Sequence, residues 1–580
     1  MANNYSKLSR EDLIKTIEKL ETRKKYGLIW DEERAKEHFE KESQDALPVL
    51  KEVKNKEINT NSALPINILI EGDNYHALSV LNYTHQGKVD VIYIDPPYNT
   101  GKNDFKYNDK WIDENDSYRH SKWLSFLSKR LRLAKLLLKD DGIMLVSIDD
   151  NEMAQLKLLC DEIFGEQNRL STHHIQVRYG SKNLNEKKDF QELLEYVLIY
   201  AKDKYYFEAN KPREEYNLDK FNLEINELRK PDKSLQIHGK KVDIFLKKSY
   251  SITKKVKGDI DLFKETWLSG SIYSGTGHGK TYQKIVENRV KKDGLGTLYK
   301  IYGLGADGLG YRYMINPQKD SSTRGKMFTK VPTAKRKGLK SGDSEISRPI
   351  INYYDFSPDF GNIRHEGGVA FNSGKKPVKM LKQLVNYHKN KDAIILDFFA
   401  GSGSTAHAVL ALNQEDDGSR SFILCTDNEG NICTNVCYPR VRNVIKGYRS
   451  TKGLGGNLKY FKTDFVKRSI NRDELKMRIT KRCTEMLCLR EMIYNEIKQT
   501  NDYRIFRNNG NVLAVYYSLG RRELRNLKKY LDKMKGKKTL YCFTLDPLGL
   551  DRNDFQNWED VSLEPIPQKI LDIYEDIYDY

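Results

Sequence analysis

Four consecutive residues, Asp95, Pro96, Pro97 and Tyr98, carry the clearest chemical signal in the chain. They follow the apolar run 91–94, which is typical of a buried parallel strand. Open α/β sheets bind ligands at the carboxyl ends of such strands. Asp offers a hydrogen-bond acceptor, the prolines stiffen the loop and Tyr offers a flat ring. The set could hold an amino-bearing base turned out of a duplex; a plain strand-to-turn joint is the alternative.

A second loop with chemical potential, residues 397–405, follows another apolar run and contains Gly401 and Gly403. Glycines at a strand-to-helix turn let the backbone approach a ligand closely. The next apolar run along the chain ends at Asp427 and Glu429, and a carboxylate at such a strand end can bind both hydroxyls of a ribose. Together the two features predict a site for a nucleoside cofactor.

The elements that would position these loops follow an α/β pattern. Short apolar runs alternate with helical patterns over 67–165 and again from Lys391, which implies a parallel sheet covered by helices on both faces. Between 206 and 347 this periodicity fades. We therefore predict five segments: an N-terminal helical segment 1–60, the catalytic half of the core 61–205, an inserted domain 206–347, the cofactor half of the core 348–448 and a separate small C-terminal α+β domain 449–580.

The charge of the chain points to nucleic acid as a partner. The net charge is +18, and residues 230–345 hold 25 Lys and Arg against 11 Asp and Glu, a surplus of 14 positive charges. With tyrosines interleaved, this favours a DNA-gripping domain over a merely solvated surface. The residues predicted to contact DNA are Lys247, Lys248, Lys254, Lys255 and Lys257.

Several classes of protein are disfavoured. The seven cysteines lack the paired spacing of a zinc site, so we expect no metal. Residues 274–281 nearly spell a phosphate-binding loop, but the strand and helix that such a loop needs are not predicted around it. No apolar run approaches membrane-spanning length and no signal peptide opens the chain, so we expect a soluble cytoplasmic protein.

At this point the chain resembles the amino-methylating DNA methyltransferases, which use S-adenosylmethionine. The catalytic loop comes first, then the basic segment, then the cofactor loop, and this circularly permuted order resembles the β group of these enzymes. The stretch 371–377 is similar to the family element that precedes the cofactor loop and completes the cofactor pocket. The resemblance implies a doubly wound, Rossmann-like methyltransferase sheet with an inserted target recognition domain.

Longer strings narrow the resemblance to the modification subunits of type III restriction–modification systems. These strings are residues 95–101, 105–109, 147–150, 26–30, 438–440 and 460–465. The resemblance implies a homodimer that acts on double-stranded DNA with a separate ATP-dependent restriction subunit. It also implies a bacterial protein that is associated with the nucleoid through DNA. A stand-alone methyltransferase of the type II or orphan kind remains the alternative.

The resemblance also implies roles for individual residues. Asp95 and the Pro96 carbonyl would accept hydrogen bonds from the target amine, and Tyr98 would stack on the flipped base. Either Asp427 or Glu429 would hold the ribose. The other residues expected at the cofactor are Asp73, which could instead cap a helix, and Phe371, Lys376, Pro377, Asp397, Phe399, Gly401 and Gly403.

Two alternatives concern the reaction itself. Asp rather than Ser before Pro-Pro-Tyr favours adenine N6 over cytosine N4 in the families that the chain resembles. A DNA-binding specificity subunit without catalysis is a different class of function, but every polar residue that the chemistry needs is present. Neither a metal nor a covalent intermediate is required, because the reaction depends on positioning.

Overall fold

The computed structural model describes most of the chain in two compact units. One unit contains residues 1–210 and 351–580 and the other residues 211–350. The described residues are 9–10, 30, 45–107, 110–180, 189–341, 345–361, 363–371, 375–508, 510–546 and 548–578. The predicted N-terminal helices, and parts of the strings 26–30, 105–109 and 371–377, lie outside them.

The first half of the larger unit alternates strands and helices as the apolar pattern predicts. Its strands are β1 (Ala46–Glu52), β2 (Ile66–Glu71), β3 (Val89–Ile94), β4 (Lys102–Tyr107), β5 (Lys110–Asp113), β6 (Leu138–Ile148), β7 (Arg169–Gln176) and β8 (Leu194–Ala201). Its α-helices are α1 (Asn74–Thr84), α2 (Arg119–Leu137) and α3 (Met153–Phe164).

The smaller unit is built mainly from antiparallel strands. They are β9 (Arg213–Glu215), β10 (Leu223–Glu227), β11 (Lys233–Ile237), β12 (Lys240–Phe245), β13 (Tyr250–Lys254), β14 (Lys264–Trp267), β15 (Leu298–Tyr302), β16 (Tyr311–Ile315), β17 (Lys326–Thr329) and β18 (Glu345–Ser347). Short helices join them: α4 (Gly270–Gly275), α5 (Gly277–Thr281), α6 (Val290–Asp293) and α7 (Thr333–Ser341).

The remainder of the larger unit returns to the α/β pattern. Its strands are β19 (Tyr353–Asp355), β20 (Ile394–Asp397), β21 (Ser421–Thr426), β22 (Gly447–Tyr448), β23 (Thr451–Lys452), β24 (Asn457–Lys467), β25 (Glu496–Gln499), β26 (Tyr503–Asn508), β27 (Asn511–Tyr516), β28 (Lys538–Phe543) and β29 (Val561–Ile566). Its α-helices are α8 (Ser357–Phe360), α9 (Val378–Val385), α10 (Ser404–Asp416), α11 (Tyr438–Lys446), α12 (Arg472–Thr480), α13 (Thr484–Glu491), α14 (Leu524–Leu531) and α15 (Gln568–Tyr578).

The larger unit is organised around a ten-stranded sheet in the order β1-β24-β2-β21-β20-β3-β6-β8-β7-β19. The strands from β24 to β6 in this order run parallel to one another. Strand β3, which precedes Asp95, pairs directly with β20, which precedes the glycine loop, through Val91 with Ile395 and Ile92 with Leu396. The Asp95 loop and the glycine loop therefore follow the carboxyl ends of two adjacent strands, although about 300 residues separate the loops in the chain.

Both faces of the sheet are covered, which explains why its strands are continuous apolar runs. Ile68, Ile92 and Leu396 pack in one cluster with side chains of α1, α2 and α3. The alternating residues on the opposite face, including Leu69, Val91 and Ile395, are equally buried. The predicted α/β fold, a largely parallel sheet covered by helices on both faces, is confirmed.

The structure corrects two of the predicted boundaries. Strand β1 lies in the segment predicted to be helical, and β24 lies in the central sheet rather than in a separate C-terminal domain. Strand β1 is an edge strand, where Pro48 can lack a donor without breaking the sheet. Strand β24 was hidden by the charged residues that interrupt it, since only the half beside β2 is continuously buried.

The C-terminal residues share a core with the central sheet. Strands β25 to β29 form a five-stranded sheet, and side chains of α13 and α15 pack in the same cluster as α1. None of the helices in the described ranges combines the length and apolarity that crossing a membrane requires.

The smaller unit holds a six-stranded sheet in the order β11-β12-β15-β16-β17-β14. The five lysines predicted to contact DNA lie on its surface and are exposed. Lys255 is paired with Glu224 at 2.9 Å. On the face of β15 and β16, Lys300 Nζ lies 4.3 Å from the ring centre of Tyr311.

Candidate active site

The Asp95 loop begins where β3 ends and is held by a compact polar cluster. The Tyr98 hydroxyl lies 2.9 Å from Asp95 Oδ1 and 3.0 Å from Oε2 of Glu195, a residue of β8. Lys376, which lies just before α9, is 7% exposed. Its Nζ lies 2.6 Å from the Tyr98 hydroxyl, 2.7 Å from Glu195 Oε2 and 3.3 Å from Asp95 Oδ1. Three distant parts of the chain thus meet at one ammonium group.

Burial and neighbouring charges set the protonation of this cluster. Burial raises the pKa of Asp95, Lys376 opposes that shift and the Glu195 carboxylate adds to it. Burial also acts against the charged form of Glu195, but attraction and a hydrogen bond from Lys376 prevail and place its pKa below the ordinary value. Asp95 is therefore the carboxylate of the pair that protonates more readily.

Two further contacts fix the rest of the loop. The Trp123 indole Nε1 donates to the Pro97 carbonyl at 2.7 Å. Asn99, buried and at a φ of 57°, donates from Nδ2 to Glu152 Oε1 at 2.5 Å. In contrast, none of the described residues donates a hydrogen bond to Asp95 Oδ2 or to the Pro96 carbonyl. These two acceptors can receive both N–H groups of an exocyclic amine.

The glycine loop after β20 is closed by its own first residue. The buried Asp397 carboxylate accepts hydrogen bonds from the Thr405 hydroxyl and, at 3.0 Å, from the Phe399 N–H. Burial raises the pKa of Asp397 to about 7. Gly401 and Gly403 have φ of +49° and +77°. Among the described residues, a Cβ on Gly401 would meet only the Phe399 carbonyl, at 3.8 Å, which leaves room for a ligand. A Cβ on Gly403 would lie 3.1 Å from Cys437 Sγ.

Arg440 of α11 supports the glycine loop from behind. It is fully buried, and its NH1 donates to Ser404 Oγ at 2.7 Å and to Ser402 Oγ at 3.2 Å. Its NH2 pairs with Glu366 at 3.0 Å. The loop is therefore tied to the 363–368 segment through one guanidinium group.

The two acids predicted for the ribose lie just beyond β21. Asp427 Oδ1 accepts a hydrogen bond from the Glu429 N–H at 3.1 Å, and the Glu429 carboxylate is paired with Lys106 of β4. The pKa of Asp427 is raised by desolvation and by the nearby carboxylates of Glu429 and Asp73. All three acids lie together, so the choice between Asp427 and Glu429 stays open.

Asp73 is the N-cap of α1, because its Oδ1 accepts a hydrogen bond from the Tyr75 N–H at 2.8 Å. Its other oxygen lies 3.3 Å from NH2 of the buried Arg130. The neighbouring Asn74 donates to the Phe398 carbonyl at 3.0 Å. The start of α1 is thereby joined to the end of β20, and a role for Asp73 at the cofactor remains a prediction.

In the element at 371–377, the two neighbouring lysines have different partners. Lys375 Nζ donates to the backbone carbonyls of Arg364, Glu366 and Val369, and burial lowers the pKa of Lys375 to about 8. Lys376 contacts the Asp95 loop, and a role for it at the cofactor remains a prediction. Pro377 is the N-cap of α9, and the Phe371 N–H donates to the Arg364 carbonyl at 3.2 Å.

Four functional candidates were missed by the sequence reasoning: Glu195, Trp123, Glu152 and Arg440. Glu195 carried a signal, since it is an acid inside the apolar strand β8, and buried acids need a partner. Arg440 also stood in the string 438–440 that resembles the family, although no role was predicted for it. Trp123 lies on a helix and Glu152 at the start of one, where a polar side chain looks ordinary until its tertiary neighbour is known.

The comparisons agree with this geometry. The model of the DNA methylase family matches residues 89–435, a range that spans both loops. The chain is 29% identical to the EcoPI Mod subunit of Escherichia phage P1 over 411 residues. The aligned region covers 64% of this chain and 59% of that protein. It is 30% identical over 383 residues to the StyLTI Mod subunit of Salmonella typhimurium, which covers 62% and 52%. Both are named as type III restriction–modification subunits.

A type II methyltransferase is similar to the same degree. M.KpnI of Klebsiella pneumoniae is 31% identical over 373 residues, which cover 63% of this chain and 82% of M.KpnI. The chain thus spans little more than half the length of the two Mod subunits but most of this enzyme. With the matched range covering the Asp95 loop, the glycine loop and the strands that bring them together, the chain belongs to the DNA methylase family.

Proposed function

We propose that this chain transfers a methyl group from S-adenosylmethionine to N6 of a flipped adenine in double-stranded DNA. The observation that carries the proposal is the pair of acceptors, Asp95 Oδ2 and the Pro96 carbonyl, on the strand next to the glycine loop. An adenine amino group offers two N–H donors. Two acceptors hold it by both hydrogens and leave the nitrogen lone pair free.

The residues around the glycine loop fit a nucleoside cofactor. The open space at Gly401 admits a ligand against the backbone, and Asp427 and Glu429 follow the adjacent strand, where ribose hydroxyls bind. When bound, S-adenosylmethionine supplies a methyl group on a sulfonium sulfur, which keeps the C–S electron pair as the methyl leaves.

The chain's own residues then position and deprotonate the amine. Asp95 and Pro96 orient the amino group, and the Tyr98 ring stacks on the base. The methylated nitrogen releases one proton, which the ionised Asp95 can accept or pass to water. This assigns catalysis to positioning of two reactants.

The proposal extends to the biological setting. We assign residues 211–350 as the target recognition domain and this chain as the modification and specificity subunit of a type III system, acting in the cytoplasm as a homodimer with an ATP-dependent restriction subunit. The similarity to M.KpnI supports a stand-alone type II enzyme as the second candidate. Cytosine N4 as the target and DNA binding without catalysis are the remaining alternatives.

Methylation-sensitive sequencing of DNA from a methylation-free bacterium expressing this chain alone tests the proposal. We expect N6-methyladenine at one short motif on one strand. Methylation of both strands of a palindrome would support the type II alternative, and N4-methylcytosine as the sole product would refute adenine. A chain that binds the cofactor and DNA but methylates neither base would be a binding protein.

Exchanging the two loop glycines for alanine should separate ligand binding from folding. Both substitutions force a left-handed backbone on alanine, at a cost of about 1–2 kcal/mol. At Gly401 the new Cβ enters the open ligand space, so we expect S-adenosylmethionine affinity to fall by about 10-fold or more. At Gly403 the Cβ meets Cys437, so the melting temperature should fall further. Calorimetric titration and thermal unfolding of both variants measure the contrast; equal loss of affinity and stability in both would contradict it.

Replacing Lys254, Lys255 and Lys257 all by glutamine should weaken DNA binding. The plot of log affinity against log salt concentration has a negative slope, and each lost phosphate contact should reduce its steepness by about 0.9. The matched control replaces three exposed residues outside this unit, Arg522, Arg525 and Lys529, and removes the same charge. A slope that falls equally in both variants, or in neither, would exclude the lysines from the interface.

A further inference from the structure

The cluster around Lys376 holds one ammonium and two carboxyl groups, whereas neutral hydrogen bonds would be enough to fix a loop in place. The ammonium group lies between the carboxylates of Asp95, which follows β3, and Glu195, which lies in β8. Its three N–H donors are directed to Asp95, Glu195 and the Tyr98 hydroxyl. The ammonium is thus committed to the Asp95 loop.

Other groups near Asp95 are neutral or negative. Tyr93 lies on the same strand, Tyr98 on the loop itself, and Asp397 at the end of the adjacent β20, where its charge interacts with that of Asp95. Around Glu195, Asp149 adds a negative charge and Arg178 a positive one. Within the described part of the chain, Lys376 is therefore the cation that opposes the burial of the Asp95 charge.

We propose that Lys376 and Glu195 are positioning residues for methyl transfer: Lys376 keeps Asp95 ionised and Tyr98 in place, and Glu195 anchors Lys376. The inference rests on the proposed function and adds to it two residues and the reason for a charged lysine at the base-binding loop. It also moves Lys376 from the cofactor pocket, where the sequence places it, to the catalytic loop.

The physical argument concerns which form of Asp95 can accept. A protonated carboxyl uses one oxygen as a donor and is a poorer acceptor for an amine. Burial favours that neutral form, and the pKa of Asp95 stays above the ordinary value even beside Lys376. Lys376 itself stays charged, because the two carboxylates outweigh the desolvation of its ammonium and raise its pKa.

The direction of each variant follows from these charges. In Lys376→Met the pKa of Asp95 rises further, so activity that requires the carboxylate is lost at neutral pH and returns as pH increases. In Glu195→Gln a like charge disappears, so the acid limb of the activity profile should move to lower pH. Opposite shifts from two residues in one cluster are not expected of a purely structural role.

The experiment measures single-turnover methyl transfer to genomic DNA from a methylation-free bacterium, between pH 6 and 9.5. For Lys376→Met we expect a rate about 100-fold below wild type at pH 7 and an acid limb displaced upward by about one unit or more. Lys376→Arg should recover most of the rate, because it keeps the charge. Glu195→Gln should lower the plateau by about 10-fold through mispositioning.

Controls separate this inference from the proposed function. Lys379→Met removes a neighbouring lysine that is 68% exposed and paired with Asp359, and it should leave rate and profile unchanged. Titration of S-adenosylmethionine should give affinities within about threefold of wild type for all variants, since the cluster is assigned to the base. A folded Glu195→Gln keeps the test valid if Lys376→Met does not fold.

The outcomes are distinct. If wild-type protein methylates no DNA, the proposed function fails, whatever the variants do. If wild type is active but both variants keep its pH profile with only a lower rate, or if Lys376→Met loses cofactor affinity instead of rate, the positioning inference is overturned and the function stands.

Discussion

Replacing Asp95 by alanine is expected to reduce methyl transfer by at least about 100-fold, the effect typical of removing one preorganised hydrogen-bonding group at a reacting centre. The variant loses the acceptor that orients the amine, while the glycine loop and the acids after β21 are untouched. S-adenosylmethionine affinity should therefore stay near wild type. The fold should tolerate the change, because Lys376 keeps its pairing with Glu195 at 2.7 Å.

Single-turnover rates and calorimetric titration check this expectation. The matched control is Asp140→Ala, which removes an aspartate that is 72% exposed and paired with Lys202 at 3.2 Å, and it should leave turnover unchanged. Asp95→Asn keeps one acceptor but loses the ion pair with Lys376, so its rate should lie between those of wild type and the alanine variant. Undiminished turnover of Asp95→Ala would refute the catalytic assignment of the loop.

Replacing Arg440 by methionine should have the largest effect on stability. The change leaves the Glu366 carboxylate without its partner and removes two hydrogen bonds to the serines of the glycine loop. Breaking a fully buried ion pair on one side costs about 3–5 kcal/mol, and because the Glu366 side chain is 27% exposed, we expect a loss near the lower end of this range. Because Ser402 and Ser404 flank Gly403, we also expect weaker binding of S-adenosylmethionine.

The loss should depend on pH in a defined direction. Burial raises the pKa of Glu366, and Arg440 opposes that shift. Without Arg440 the pKa in the folded state rises further above its unfolded value, so the penalty is small while the carboxyl is protonated and grows as pH increases. Urea unfolding at pH 5 and pH 8 should show a larger difference from wild type at pH 8.

Arg442→Met serves as the control for this prediction, since it changes an exposed arginine of the same helix. It should alter neither stability nor cofactor affinity. A stability difference for Arg440→Met that is equal at both pH values would indicate that packing, rather than the charge of Glu366, sets the cost.

The parts of the site that the sequence predicted are formed by residues that lie close to one another in the chain. The Asp95 loop and the glycine loop each follow a run of apolar residues, because a strand buried on both faces needs no alternation. Their turn chemistry lies within a few residues, as in the Asp397 contacts with Phe399 and Thr405. Asp73 likewise shows how a cap can be foreseen from residue type and position alone.

Strand membership at the sheet edge was harder to foresee. Strand β1 holds seven residues with a proline, and β24 is interrupted by lysines, so neither shows the continuous apolar run of a central strand. A strand near the side of a sheet buries less apolar surface than a central strand, so its sequence shows a weaker apolar pattern. Their place in the sheet was settled by the pairing of β1 with β24, two segments about 400 residues apart, as in Leu47 with Val466.

By itself the sequence determined the α/β class, the order of the two ligand loops and the type of chemistry that their residues can do, since each depends on short-range pattern and residue type. Only the tertiary structure decided that Lys376 contacts the Asp95 loop. Its contact with Glu195 spans 181 residues, and it exists because β3, β8 and the start of α9 meet at one edge of the folded sheet. A buried charge must find an opposite one there, and which one it finds depends on packing that residue spacing does not encode.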